Sequence, residues 1–245
     1  MEHPLTSRDE IRAGLTLAWR LLLVIGASVA LAAALIGLTR TELFRVRSIE
    51  VEGAVNVSRA QVVWDSRIDQ HMNAFWLDER AVERRLEEDP RILRADVEVS
   101  LPGTVDVTVW ERPAVAAAVQ PSGFVLLAGD GTALRSSQRS AGLPLVVVPT
   151  IPRSEGPAPS VVGPARALGA LDPQLRATVR RVFAAADSLT LVLDGGLRIS
   201  YGAPDSFAAK ARSIEEVLAW ASGTQQSLRS IDVTAPGAPA VVPMG

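Results

Sequence analysis

With 245 residues, 25 basic against 27 acidic side chains and a net charge of −2, the chain has length for one or two domains and no cationic surplus with which to hold a polyanion. The complete lack of cysteine excludes disulfides, thiolate nucleophiles, iron–sulfur clusters and Cys-ligated zinc, while 48% apolar residues supply a core. Only His3 and His71 carry imidazoles, and both read as ordinary surface residues, one at the N-terminus and one in a polar stretch.

The first element is a charge-free run, LLLVIGASVALAAALIGL, from Leu21 to Leu38. As a helix it spans about 27 Å, close to the hydrocarbon thickness of a bilayer. Its apolar wall is formed by Leu21, Leu22, Leu23, Val24, Ile25, Leu31, Leu35, Ile36 and Leu38, with Trp19 at the interface and Arg20 reaching toward the headgroups. Ala30 and Ala32 offer a signal-peptidase site, but the apolar run continues past them as AALIGL, which a cleaved N-terminus would leave exposed. The reading is therefore an uncleaved signal anchor at residues 20–39 behind a cytoplasmic tail at 1–19. Arginines do not set the orientation, because Arg8, Arg12 and Arg20 are matched by Arg40, Arg45 and Arg47. The short N-terminal tail and long C-terminal region do: residues 40–245 are expected outside the cytoplasm.

A strand follows at Val46–Val51, closed by Gly53. Ser58-Arg-Ala-Gln61 reads as a capping box, in which the serine caps the first turn and the glutamine reaches back. A second helix starts on Asp78, carries Ala81, Val82, Arg85 and Leu86 on one face and stops at Pro90; Glu83, Arg84, Glu87 and Glu88 form its solvated side. Val97, Val99 and Leu101, a Pro102-Gly103 turn, and Val105, Val107 and Val109 make a hairpin. Trp64 and Trp110 read as packing residues, and Glu111 with Arg112 as a solvated pair at a strand end. Strand, helix, helix, strand, strand gives a small sheet with two helices on one face.

Beyond it, Val115–Val119 and Phe124–Leu127 read as strands, AGDGTAL as a tight turn, and Leu143–Pro149 as a short apolar strand. IPRSEGPAPSVVGP reads as an irregular loop, and Ala165–Ala186 as a helix broken at Pro173. SLTLVLDGGLRISYG is a hairpin turning at Asp194-Gly-Gly196, a helix runs from Asp205 to Ala221, and SLRSIDVTAPGAPAVV closes the chain with a strand.

No nucleophile elbow, zinc-protease helix or phosphate loop occurs; AGDGTA lacks the lysine and spacing of the last. Carboxylate pairs such as Asp65 with Asp69 have no pocket to tune them. Neither a cofactor, a metal nor a small-molecule substrate is expected, and the chain reads as no enzyme. What two sheet-bearing modules offer instead is an edge strand, whose unpaired N–H and C=O groups can receive a strand from a partner.

The order of elements, RSIEVEGAVNVS at the front, LEEDPRILRADVEVSLPGTVDVTVWERPAVA at the back and one anchor just before, resembles the POTRA module of the FtsQ/DivIB family of bacterial cell-division proteins. The phrase ERPAVA, Glu111 to Ala116, is the strongest local match. LDGGLRISYGAPDSFAAKARSIEEVL with LRSIDVTAPGAPAV is similar to the family's β domain, so the resemblance covers about residues 20–243. It implies an α+β chain: a transmembrane helix, a POTRA domain (β-α-α-β-β) at 44–113, a mixed β domain with packed helices at 114–235 and a C-terminal tail at 236–245. It also implies a non-catalytic divisome scaffold at the division site, whose partners are the single-span proteins FtsB and FtsL or DivIC. These partners would bind the C-terminal edge at Leu228, Ser230, Ile231, Val233, Thr234, Ala235, Ala240, Val241 and Val242. The pattern departs from the family at Ala235, where some members carry an aromatic, and at Pro236 and Pro239, which cannot donate to a ladder. Strand addition is thus expected at Leu228–Thr234 or at Ala240–Val242. Lys210 sits at a lysine position of the family, bonding either within the fold or across an interface. The rival readings are a POTRA-bearing envelope-assembly or secretion factor and, behind it, an anchored cell-wall enzyme.

Overall fold

The structure, a computed structural model, describes residues 7–148, 159–185 and 187–244. It divides into two compact units, Met1–Leu86 with Arg94–Val109, and Glu87–Leu93 with Trp110–Gly245.

The first unit begins with helix α1 (Ser7–Thr39), whose Trp19–Thr39 segment is 21 residues long with a mean hydropathy of 2.6 and no buried residue. Every predicted anchor side chain, from Leu21 to Leu38, is exposed on it. An apolar helix with no protein face to cover it is suited to a lipid surrounding. After it come β1 (Ser48–Glu52), α2 (Arg59–Ser66), α3 (Glu79–Leu86), β2 (Ile92–Ser100) and β3 (Thr104–Glu111). The sheet order is β1-β3-β2, with β1 parallel to β3 and Val51 opposite Val107. This is the expected β-α-α-β-β module, and Val51, Val62, Val82, Leu86, Val105 and Val107 are among its buried apolar residues.

Local chemistry accounts for the helix starts. Ser58 Oγ accepts from the Gln61 amide at 3.1 Å and Asp78 Oδ1 from the Ala81 amide at 3.0 Å. The reciprocal half of the capping box does not form, because the Gln61 side chain donates to Asp65 at 2.9 Å, one turn further along. Gly53, at φ +78, allows β1 to end against β3: a Cβ there would lie 2.0 Å from the Val109 carbonyl oxygen.

Two surface assignments are corrected. Trp64 is 79% exposed and so is not a packing residue, whereas Trp110, 44% exposed, is partly covered. Glu83, read as part of a solvated face, accepts the Val97 amide at 3.2 Å, and Glu79 accepts that of Val99 at 3.0 Å. Helix α3 thereby occupies the outer edge of β2 with carboxylates, which protects an edge strand from further pairing.

The second unit holds β4 (Ala114–Gln120), β5 (Gly123–Ala128), β6 (Ala133–Ser137), β7 (Leu145–Val147), α4 (Pro159–Ala170), α5 (Pro173–Thr178), β8 (Val179–Ala185), β9 (Ser188–Leu193), β10 (Arg198–Gly202), α6 (Phe207–Gly223), β11 (Leu228–Asp232) and β12 (Ala240–Pro243). Its nine strands run in the order β12-β11-β10-β9-β8-β7-β4-β5-β6. The β4–β7, β7–β8 and β10–β11 pairs are parallel and the remainder antiparallel. Leu168 and Ala165 from α4 and Ile214 and Ala211 from α6 close the core over Val182, Leu191, Ile199 and Ile231.

Three expectations fail here for identifiable reasons. The helix expected at 165–186 ends at Thr178, because Val179–Ala185 pairs with β9 in the register Val182–Leu191; pairing overrides the helix propensity of its alanines. The expected break at Pro173 is present: α4 ends at Ala170 and Pro173 begins α5, with Asp172 Oδ1 capping the Gln174 amide at 2.8 Å. Of the expected loop at 151–164, residues 151–158 lie outside the described residues and Pro159 onward is helical. Nor does a tail begin at residue 236, since Ala240–Pro243 is the last strand of the sheet.

The ERPAVA phrase works structurally. Arg112 donates to Asp130 at 2.7 Å and to the Pro90 carbonyl at 3.1 Å, tying the start of β4 to the Asp130-Gly-Thr turn. Asp89 binds Arg91 through both carboxylate oxygens, at 3.0 Å to Nε. Burial alone would raise its pKa, but the hydrogen bonds and charge of Arg91 outweigh that and hold it below the usual carboxylate value. A depressed carboxylate stabilises the fold above its unfolded pKa, and the contribution is lost as pH falls through the folded value. Thermal unfolding followed below about pH 5 is expected to show a shallower loss of Tm in Asp89→Asn than in the wild type.

Candidate functional site

Four sheet edges exist among the described residues, and they are not equally open. The β2 edge is taken by Glu79 and Glu83. Strand β1 reads Ser-Ile-Glu-Val-Glu and β6 reads Ala-Leu-Arg-Ser-Ser, so both carry charge along a short strand. Strand β12, Ala-Val-Val-Pro, has no charge, and β11 is its one strand neighbour. It is the open edge of the nine-stranded sheet.

Strand β11 is not an edge. Its Ile231 pairs with Ile199 of β10 on one side and with Val241 of β12 on the other. Leu228–Thr234 therefore cannot receive a partner strand: its backbone is already used along β11, and Leu228, Ile231 and Val233 are buried, the last bonding through its amide to Ser200 O at 2.9 Å. Ser230 is half-buried, while Thr234 and Ala235 lie exposed in the turn that follows. Of the residues expected at the edge, Ala240, Val241 and Val242 are on it. Val241 packs toward the core; Ala240 and Val242 are exposed, as are Pro243, which ends the strand, and Met244 just after it, both passed over by sequence reasoning.

Pro236 and Pro239 fall in the turn between β11 and β12 and remove no ladder bond. That turn is closely held. Asp232 Oδ1 accepts the Thr234 amide at 2.9 Å, Ser213 Oγ donates to the Pro236 carbonyl at 2.6 Å, and the Ala238 amide donates to Ala235 O at 3.0 Å. The Thr234 hydrogen bonds hold the Asp232 carboxyl below its ordinary value. Gly202, at φ +71, lets the end of β10 pass beneath: a Cβ there would lie 2.9 Å from Thr234 Cγ2. At the far end the Met244 amide donates to Ser227 O at 2.8 Å, so β12 is fastened at both ends with its outer side open.

Lys210, on the first turn of α6, is 1% exposed. Its Nζ donates to the Ala203 carbonyl and to Asp205 Oδ1, both at 2.8 Å, and stands 5.0 Å from the Tyr201 ring centroid. The lysine thus bonds within the fold. Burial raises the Tyr201 pKa, and the Asp205 charge raises it further. Asp65 and Asp69 form no catalytic pair: Asp65 takes the Gln61 amide group, and Asp69 accepts the His71 and Met72 amides at 2.6 and 3.1 Å. Among the described residues no group of three or more His, Asp or Glu could hold a metal.

Residues 44–112 match the family model of the POTRA domain, FtsQ-type. Cell division protein FtsQ of Mycobacteroides abscessus is 30% identical to the chain over 203 residues, 82% of this chain and 62% of that protein. FtsQ of Mycolicibacterium smegmatis is 26% identical over 205 residues, 82% of this chain and 58% of that one. Cell division protein DivIB of Bacillus subtilis is 28% identical over 78 residues, 31% of this chain and 30% of its own. The chain spans about three-fifths of the length of the two FtsQ relatives.

Proposed function

We propose, from the premise that this chain belongs to the FtsQ/DivIB family of bacterial cell-division proteins, that it is a single-span, non-catalytic scaffold of the division machinery which receives partner strands on β12. The observation that carries this reading is the contrast among sheet edges: one covered by carboxylates, two charged, and β12 apolar, short and fastened at its ends. A partner strand laid there gains backbone hydrogen bonds, and the exposed Val242 and Met244 give it side chains to grip. Helix α1 holds the two units at the membrane with the N-terminus in the cytoplasm and residues 40–245 outside. The partners are single-span proteins of the FtsB, FtsL or DivIC type, which lie in the same membrane. The domain limits follow the same reading: a cytoplasmic tail, an anchor at 20–39, a POTRA domain at 44–113 and a β domain that runs on through β12.

Fluorescence microscopy of dividing cells tests it, with a fluorescent protein fused ahead of Met1. A band at the division site is expected, together with co-purification of the single-span partners. A uniform membrane signal in cells with visible septa would sink the reading.

A further inference from the structure

We propose that Met72, Phe75 and Trp76, with Leu43, bed into the headgroup–acyl boundary of the bilayer at the foot of α1, so that the first unit rests on a lipid surface. This rests on the reading of Trp19–Thr39 as a membrane span and adds a second contact with the same bilayer.

These four side chains are large, apolar and exposed: Leu43 49%, Met72 37%, Phe75 44% and Trp76 58%. Beside Leu43 and Met72 in the chain, the rings of Phe44, Phe75 and Trp76 are packed together. Phe75 stacks edge-on against Phe44 at 5.8 Å and against Trp76 at 5.2 Å between ring centroids. The loop is fixed, with the Phe75 amide donating to Asn73 Oδ1 at 3.0 Å and the Trp76 amide to Asn73 O at 3.2 Å. An apolar surface held rigidly open in this way marks an interaction site.

Its position selects the occupant. Asn73 Nδ2 donates to the carbonyl of Thr39, the last residue of α1, at 2.8 Å. Asn73 also bridges to Arg45, and the Val46 amide donates to Met72 O at 3.0 Å. Phe75 and Trp76 follow Asn73 by two and three residues, so their backbones can lie no more than about 10 Å from it. The interfacial layer that amphipathic segments enter is about 5–10 Å deep. Trp is enriched in that layer, and Trp, Phe and Leu make up the apolar faces that enter it. Arg40 and Arg47 flank the patch on the segment that leaves α1 and carry charge suited to lipid phosphates, while Arg45 is paired with Glu42 at 3.0 Å.

The absence of cysteine from the chain makes the test clean. Single Cys variants of the full chain, Met72→Cys, Ala33→Cys and Val55→Cys, are spin-labelled and placed in vesicles of phosphatidylglycerol and phosphatidylethanolamine. Val55, 85% exposed beyond the far end of β1, serves as the water-facing reference. Collision rates with oxygen relative to a water-soluble nickel chelate then report depth. The Met72 label is expected to show a ratio several-fold above that at Val55, and to fall toward it when Phe75→Ser and Trp76→Ser are added. A water-like Met72 label beside a lipid-like Ala33 label overturns the proposal and leaves the span intact. A water-like Ala33 label overturns the span and this inference with it. A Met72 label shielded only on addition of a division partner assigns the patch to a protein and overturns the lipid contact.

Discussion

Ile231→Glu is expected to unfold the nine-stranded unit, whereas Val242→Glu leaves it folded and weakens capture of single-span partners. The two valine- and isoleucine-bearing strands are neighbours, yet Ile231 is fully buried between β10 and β12 and Val242 is 50% exposed on the outer strand. A glutamate at 231 loses the transfer energy of the isoleucine and sets a carboxylate among Val182, Leu191 and Ile199, a combined cost of about 4 kcal/mol or more. At 242 the carboxylate meets water, and stability should stay within about 0.5 kcal/mol of wild type. A charge on an edge strand opposes strand addition, so co-purification of the partner should drop by about tenfold or more. Urea unfolding of the full chain in detergent, beside partner capture, measures both. A folded Val242→Glu chain that captures partners as well as wild type would show that β12 is not the docking edge.

How much of this was legible beforehand depends on whether the signal was local. Alternating valines, the Pro102-Gly103 turn, the Asp194-Gly-Gly196 turn and the Ser58 and Asp78 caps are all local chemistry, and the elements they announce are present. Residues whose partners are remote in sequence were opaque. Nothing near Glu83 shows that its carboxylate will meet the Val97 amide, and nothing in Val-Arg-Arg-Val-Phe-Ala-Ala declares a strand until β7 and β9 lie on either side. The candidate site illustrates the same limit. The family resemblance implies a binding edge at the C-terminus but leaves two strands eligible, because which of them is outermost is a property of strand order, and β11 enters the sheet between β10 and β12. The aromatic patch of Phe75 and Trp76 drew no sequence reading at all, because what marks it is the bond from Asn73 to the end of α1, a partner 34 residues away.

Lys210→Ala should cost about 2–4 kcal/mol of stability, more than removal of its acidic partner. Asp205 is 64% exposed at its side chain, so the ion pair is largely wet on that side and Asp205→Asn is expected to cost under about 1 kcal/mol. The lysine itself is enclosed. Truncation empties the space beneath the Tyr201 ring and strands the Ala203 carbonyl, which had accepted from Nζ at 2.8 Å. Lys210→Met keeps most of the stem and should fall between the two, because only the hydrogen bonds and the charge over the ring are lost. Tyr201 offers an internal reporter, as it is the one tyrosine in the chain. Burial and then the Asp205 charge raise its folded pKa above the phenol's ordinary value, so its contribution to stability is whole below the unfolded pKa and declines as pH rises beyond it. Ultraviolet titration should therefore show tyrosine ionising only as the unit opens in alkali, and at lower pH in Lys210→Ala than in wild type. Were Lys210 instead a contact across an interface, Lys210→Met would leave both urea unfolding and the tyrosine titration unmoved while weakening partner capture, and the intramolecular role would be refuted.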